Sequence, residues 1–168
     1  MVFVTVKHEI TVGGTTAVVE EQDIVYRGAV TTATGAPTST GGPAPAAPQV
    51  ARVSQATRTI VPDPVQLFRF SALTFNAHRI HYDRDYARDV EGYPGLVVHG
   101  PLVATLLMDH CLRHTGGRTV RAFSFRAERP LFDTAPFDLC LAPSEAGVDL
   151  WAIDANGAIA FTAAVETP

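Results

Sequence analysis

The sequence predicts an α+β fold in which an antiparallel sheet curls around one long buried helix, with an extra β-hairpin at its N-terminal end. Three observations carry this reading. The run Gly100–Thr115 is apolar on most of its helical faces, as a helix enclosed by other structure must be. Four runs with period-two alternation follow it, the last two joined through Ala155-Asn156-Gly157, a strong hairpin signal. The first residues also alternate, on either side of Gly13-Gly14. One such helix and about five strands can bury one another only if the sheet wraps the helix.

In chain order, residues 2–9 place Val2, Val4 and Val6 on one side and Phe3, Thr5 and Lys7 on the other, and residues 17–27 return past the glycine pair. Residues 1–27 therefore read as a β-hairpin. A lone hairpin is marginal in water, so this one needs a larger sheet. Residues 28–50 change to Gly, Ala, Thr, Ser and Pro without periodicity and read as a linker. Residues 51–168 then form a second, complete unit. Pro62 and Pro64 mark an irregular entry, residues 65–75 read as an aromatic-rich strand, and residues 84–90 as a short helix ended by Gly92 and Pro94. The long helix starts with Pro101 in its first turn and stops before Gly116-Gly117. The strands after it are expected near residues 120–127, 137–142, 150–154 and 158–165.

Composition narrows the function classes. Of 168 residues, 46% are apolar and 18% charged, which supports a real core and excludes global disorder. The formal charge is −4 with the cations scattered, against a nucleic-acid surface. No apolar run reaches membrane-spanning length, and charges begin by Lys7, unlike a signal peptide. Cys111 and Cys140 are far apart in apolar segments and read as reduced core thiols. The expected address is the cytoplasm.

Chemically able side chains concentrate in residues 76–100. His78, His81, Asp83 and His99 fall there, yet no metal-ligand pattern is visible and no metal is expected. Ser71 and Thr74 read as packing or capping residues, since no nucleophile elbow surrounds them. Asp109 and His110, within the long helix, are expected to face a partner or solvent.

The string Asn76-Ala77-His78-Arg79-Ile80-His81, followed by Tyr82-Asp83, Ala87, Gly92-Tyr93-Pro94 and His99-Gly100, resembles the motif of MaoC-like (R)-specific enoyl-thioester hydratases and dehydratases. That motif runs Ser-Gly-Asp-x-Asn-Pro-(Leu/Ile)-His, then x-Asp, Ala, and later Gly-(Phe/Tyr) and His-Gly. The spacings agree. Asn76 stands at the family's Asp, and His78-Arg79 at its Asn-Pro. The sequence is most similar to a branch that includes mesaconyl-C4- and itaconyl-type CoA hydratases and mitochondrial-type 3-hydroxyacyl-thioester dehydratases. The resemblance implies a hotdog fold for 51–168, and the leading hairpin would then be the remnant of a preceding hotdog unit.

The resemblance implies a hydro-lyase that adds or removes water across a 2-enoyl/3-hydroxyacyl thioester. The substrate is a CoA thioester or an acyl-carrier thioester, and no other cofactor is implied. His81 would be the general acid/base, since imidazole accepts and returns protons near neutrality. Asn76 would position the water, and the Gly100 N–H, at a helix N-terminus, would hold the enolate oxygen. His99, Arg79, Arg84 and Tyr93 would contact substrate, the arginines through the carrier's phosphates, although a solvated surface role competes for both. The expected assembly is a homodimer or a hetero-oligomer with another hotdog unit. Two alternatives stay open: a noncatalytic acyl-thioester-binding or partner subunit, suggested by the missing Asp, and a hotdog thioesterase.

Overall fold

Helix α2, Gly100–Thr115, sets the layout. Its first turn carries Pro101, where a missing N–H costs nothing, and its last turn hands over to Gly116 in the left-handed region at φ 67°. Leu102, Val103, Ala104, Leu107, His110 and Cys111 are buried along it. In this computed structural model, residues 2–26, 52–117 and 119–168 are described. The chain divides into two units, residues 1–40 and 41–168. The linker expected over 28–50 lies outside the described residues.

In the first unit β1, Val2–Val12, pairs antiparallel with β2, Thr15–Tyr26. Gly13 and Gly14 make the two-residue turn at φ 58° and 82°, which only glycine adopts without strain. The register sets Val4 opposite Ile24 and Ile10 opposite Val18 on one face. Thr5 opposite Asp23 and Lys7 opposite Glu21 occupy the other, joined by a 2.7 Å hydrogen bond and a 3.5 Å ion pair.

The second unit is a five-stranded antiparallel sheet, ordered β3-β5-β6-β7-β4. Its strands are β3 (Ala56–Ile60), β4 (Ala122–Ala127), β5 (Phe137–Ser144), β6 (Gly147–Ile153) and β7 (Ile159–Glu166). Helix α2 lies against β5, β6 and β7. Leu107 meets a core that includes Leu139, Leu141, Leu150, Ala152 and Phe161. Burying one such leucine contributes roughly 1.5–3 kcal/mol, and that apolar contact is what closes the sheet onto the helix.

Two expectations fail here. Residues 65–75 are not a strand; Pro64–Leu73 form helix α1. Asp63 caps it by accepting from the Val65 N–H at 2.9 Å, and Pro64 occupies its first turn. The aromatic content suggested a strand, but Leu67, Phe70, Ser71 and Thr74 carry helical spacing behind an Asp-Pro start signal. Strand β3, ahead of it, was not expected at all. His110 does not face solvent either. It is fully buried and donates from Nε2 to the Ala56 carbonyl of β3 at 3.3 Å. Asp109 stays half-exposed, bound by Arg58 at 2.7 Å and by Arg113. Cys111 and Cys140 are buried free thiols. Among the described residues no helix is long and apolar enough to cross a membrane.

Candidate active site

The site is built from the end of α1, the chain after it, and the start of α2. Helix α1 ends with Asn76 N–H bonded to the Ser71 carbonyl at 2.9 Å and Phe75 N–H directed to Ala72, the paired closing bonds of a Schellman cap. Phe75 takes the left-handed position at φ 53° and is 95% exposed. Asn76 then accepts the His78 N–H on Oδ1 at 3.0 Å, an Asx-turn that points the chain into the 3-10 turn Arg79–His81. One lone pair of the amide oxygen is thereby used, and the second lone pair and the amide NH2 remain.

His81 is 8% exposed, and its Nδ1 lies 2.7 Å from the Val97 carbonyl oxygen. A carbonyl can only accept, so Nδ1 carries the hydrogen and Nε2 keeps the lone pair of a neutral base. Burial pushes the His81 pKa below the ordinary 6.5, against the Val97 bond, which raises it; nearby His78 lowers it further. His78 sits edge-on, 5.6 Å between ring centroids.

The backbone carrying Val97 is itself fixed on two sides. Val97 N–H donates to Ile80 at 2.9 Å, and Val98 N–H to Leu131 at 2.8 Å. The Asp133 carboxylate accepts Leu96 N–H at 2.8 Å and pairs with Arg84, while its side chain is only 1% exposed. Gly95 makes room for it: a Cβ there would fall 2.5 Å from Asp133 Oδ1 and 2.7 Å from Thr134 Cγ2.

His99, expected from the sequence to contact substrate, is the N-cap residue of α2 and 1% exposed. Its Nε2 lies 2.8 Å from Ser71 Oγ, and its Nδ1 is buried without a hydrogen-bond partner among the described residues. Its ring stacks on His81, centroids 3.8 Å apart and planes 17° from parallel, and receives the edge of Phe70 at 4.9 Å. Burial, with His81 close by, pushes its pKa down to about 4.

Gly100, next in the chain, opens α2, and its N–H makes no hydrogen bond among the described residues. A Cβ on Gly100 would meet only Phe161, at 3.9 Å. No acidic side chain occupies the first turn of α2, so the turn itself supplies no charge to offset the partial positive end of the helix. Beside it, a groove of about 490 Å³ is lined by Asp63, Gln66, Arg69, Phe70, Leu73 and Leu102.

The other expected contacts are engaged within the protein. Arg79 binds Asp83 at 2.7 Å and lies over the Tyr86 ring, and Arg84 binds Asp133. Tyr93 is half-buried with its ring 5.7 Å from Phe132. The chain thus brings His81, Asn76, His99 and Gly100 into one region and gives both arginines structural partners. Sequence reasoning missed the part played by Ser71 and the Val97 carbonyl. Ser71 was legible as one helical turn past Leu67, had α1 been recognised as a helix; a backbone carbonyl leaves no mark in a sequence.

Comparison with known proteins agrees with this geometry. The chain is 54% identical to mesaconyl-C(4)-CoA hydratase of Chloroflexus aurantiacus over 167 residues, 99% of this chain and 56% of that protein. It is 37% identical over 101 residues, 59% of this chain, to mitochondrial hydroxyacyl-thioester dehydratase type 2 of Schizosaccharomyces pombe, covering 33% of it. The chain thus spans about half the length of the first of these relatives, and less of the second. Among solved structures, HtdX of Mycobacterium tuberculosis superposes over 99% of this chain and 62% of its own, with TM-score 0.71 at 23% identity. The (R)-hydratase from A. caviae superposes over 71% and 99%, with TM-score 0.57 at 20% identity. These two establish the hotdog fold. The family model for hydroxyacyl-thioester dehydratase type 2 matches residues 1–133, and with the motif spacing from Asn76 to Gly100 it makes this chain a member of that family.

Proposed function

We propose that this chain carries the catalytic unit of a hydro-lyase that hydrates 2-enoyl thioesters, or dehydrates the corresponding 3-hydroxyacyl thioesters, with CoA as the thiol carrier. The observation that carries the reading is the tautomer of His81: its Nδ1–H is committed to Val97, leaving Nε2 as a base beside a helix N-terminus whose first N–H is free. In the hydration direction, His81 Nε2 takes a proton from water as the water oxygen bonds to the β-carbon. The electron pair of the C=C moves onto the thioester oxygen, which the Gly100 N–H stabilises. The imidazolium then returns its proton to the α-carbon, so the histidine ends as it began. Asn76 orients the water through the lone pair and NH2 that its Asx-turn leaves free. The groove along α1 and Leu102 is the proposed seat of the acyl chain, since Phe70 belongs both to it and to the His99 contact.

The relatives support this reading by their names, one a CoA-ester hydratase and the other a thioester dehydratase. Pairing with a second hotdog unit is part of the proposal. Strands β3 and β4 each lie at an edge of the sheet, and edges invite pairing. A structure of similar fold, TM-score 0.55, is described as a ChsH1–ChsH2 complex.

The test follows loss of enoyl-CoA absorbance together with release of free thiol. Hydration by the wild type that disappears in His81→Ala supports the assignment. Thiol release without hydration identifies a thioesterase, and tight CoA-ester binding with neither reaction identifies a noncatalytic subunit.

A further inference from the structure

The site holds two stacked histidines, and the hydration chemistry uses one of them. The second, His99, is more deeply buried than His81, and its ring is fixed from three sides: by the His81 face, by the edge of Phe70, and by Ser71 Oγ at 2.8 Å. Its two nitrogens meet different surroundings. If Ser71 donated to Nε2, the hydrogen would sit on Nδ1, a buried donor with no partner among the described residues. That hydrogen would also lie on the N-cap residue of α2, where the helix presents its own unbonded N–H groups and the positive end of its dipole. If Nε2 donates to Ser71 Oγ, the Nδ1 lone pair is unpartnered and the buried Ser71 O–H hydrogen has no acceptor among the described residues. Each arrangement leaves one buried hydrogen without a partner, so the bond fixes the orientation of the ring whichever atom donates.

We propose that Ser71 and His99 are positioning residues for His81: Ser71 holds the His99 ring in place, and His99 presents a neutral aromatic face against which His81 gains and loses its proton. The proposal rests on His81 being the proton carrier, and it divides the labour between the two rings. A proton on both stacked rings would set two like charges 3.8 Å apart, whereas one imidazolium on a neutral π-face is an attractive pair. The proton therefore stays on His81, and the ring keeps its orientation through the cycle. Through Ser71 the orientation also depends on α1, so the seating of that helix and the alignment of the base are coupled.

Two measurements test this. The first uses imidazole nitrogen NMR on the wild-type chain, which needs neither substrate nor a variant. His99 should show a neutral imidazole pattern throughout the range in which His81 titrates; a His99 resonance that titrates with His81 overturns the proposal. The second compares enoyl-CoA hydration by the wild type, Ser71→Ala and Ser71→Thr. Loss of the hydroxyl should lower kcat about tenfold, the effect on a barrier of one buried hydrogen bond, with KM unchanged, and threonine should restore most of it. A Ser71→Ala enzyme that folds and keeps wild-type kcat, or that changes only KM, overturns it. A wild type without hydratase activity would sink the proposed function while leaving the NMR result to decide the pairing of the rings.

Discussion

His81 gives its Nδ1–H to the carbonyl of Val97 at 2.7 Å, and that one bond separates the structural from the chemical end of the ring. An asparagine side chain can place an N–H where Nδ1 sits but has nothing at the position of Nε2. His81→Asn is therefore expected to fold with a thermal midpoint close to wild type and to lose hydration by about 10²–10⁴-fold, the usual contribution of a general acid/base. Retention of wild-type kcat in a folded His81→Asn protein would remove His81 from the mechanism.

The pH profile of hydration should reflect the same ring. As a base His81 must be neutral, and burial holds its pKa below 6.5. The kcat/KM for hydration should accordingly fall only on the acid side, with a midpoint below pH 6.5. A midpoint above that value contradicts the assignment.

Stability carries a second pH signature. His99 has a folded pKa of about 4 against roughly 6.5 in an unfolded chain. Between these values the unfolded state binds the proton and the folded state does not. The stabilisation is therefore complete above about pH 6.5 and is lost progressively as the pH falls through about 4, by on the order of 3 kcal/mol. Burial lowers the pKa of His81 and His110 as well, with the same sign. Urea unfolding at a series of pH values should show this decline, and His99→Gln should flatten it; an equal slope in that variant would exclude His99 as its source.

Gly100 separates folding from catalysis. Within the chain a Cβ there meets only Phe161 at an ordinary 3.9 Å, so Gly100→Ala should leave the thermal midpoint unchanged or raise it. The methyl group would stand where the thioester oxygen must approach, and kcat/KM should drop about tenfold or more. Unaltered turnover in Gly100→Ala would place the oxyanion elsewhere.

Phe75 offers a gain. It holds a left-handed backbone at φ 53° in a position that glycine usually fills, and with 95% exposure it gives up little packing within this chain. Phe75→Gly should stabilise the protein by about 1 kcal/mol. Chemical denaturation measures this directly, and a loss of stability would mean that the ring is covered by something beyond the chain.

Much of the architecture was legible because α2 and the four later strands each obey a single period. The helix Gly100–Thr115 has its bounds written in Pro101 and Gly116, and the turn at Asn156-Gly157 sets the β6–β7 pairing. Helix α1 was misread because Phe68, Phe70 and Phe75 weigh toward strand while Asp63-Pro64 announces a helix; burial of Leu67 and Ser71 on one face decided it. At the site, the spacing from Asn76 to Gly100 was sufficient to nominate His81 as the candidate base. It was insufficient to place His99, because stacking on His81 and bonding to Ser71 depend on how α1 docks, and α1 lies outside the motif. The Arg84 ion pair was illegible for a similar reason: its partner Asp133 lies 49 residues away.

The space above Gly95 extends the mutational reach of the site beyond the residues that touch the reaction. Any side chain at that position would have to displace the Asp133 carboxylate, the acceptor for Leu96 N–H and the partner of Arg84. The next link along the backbone is the Val97 carbonyl that aims His81. A substitution there would present in a genetic screen as an inactive protein with every chemical residue intact. On the proposed mechanism, position 95 would then belong to the inheritance of the activity as firmly as position 81, with no atom of it in the chemistry.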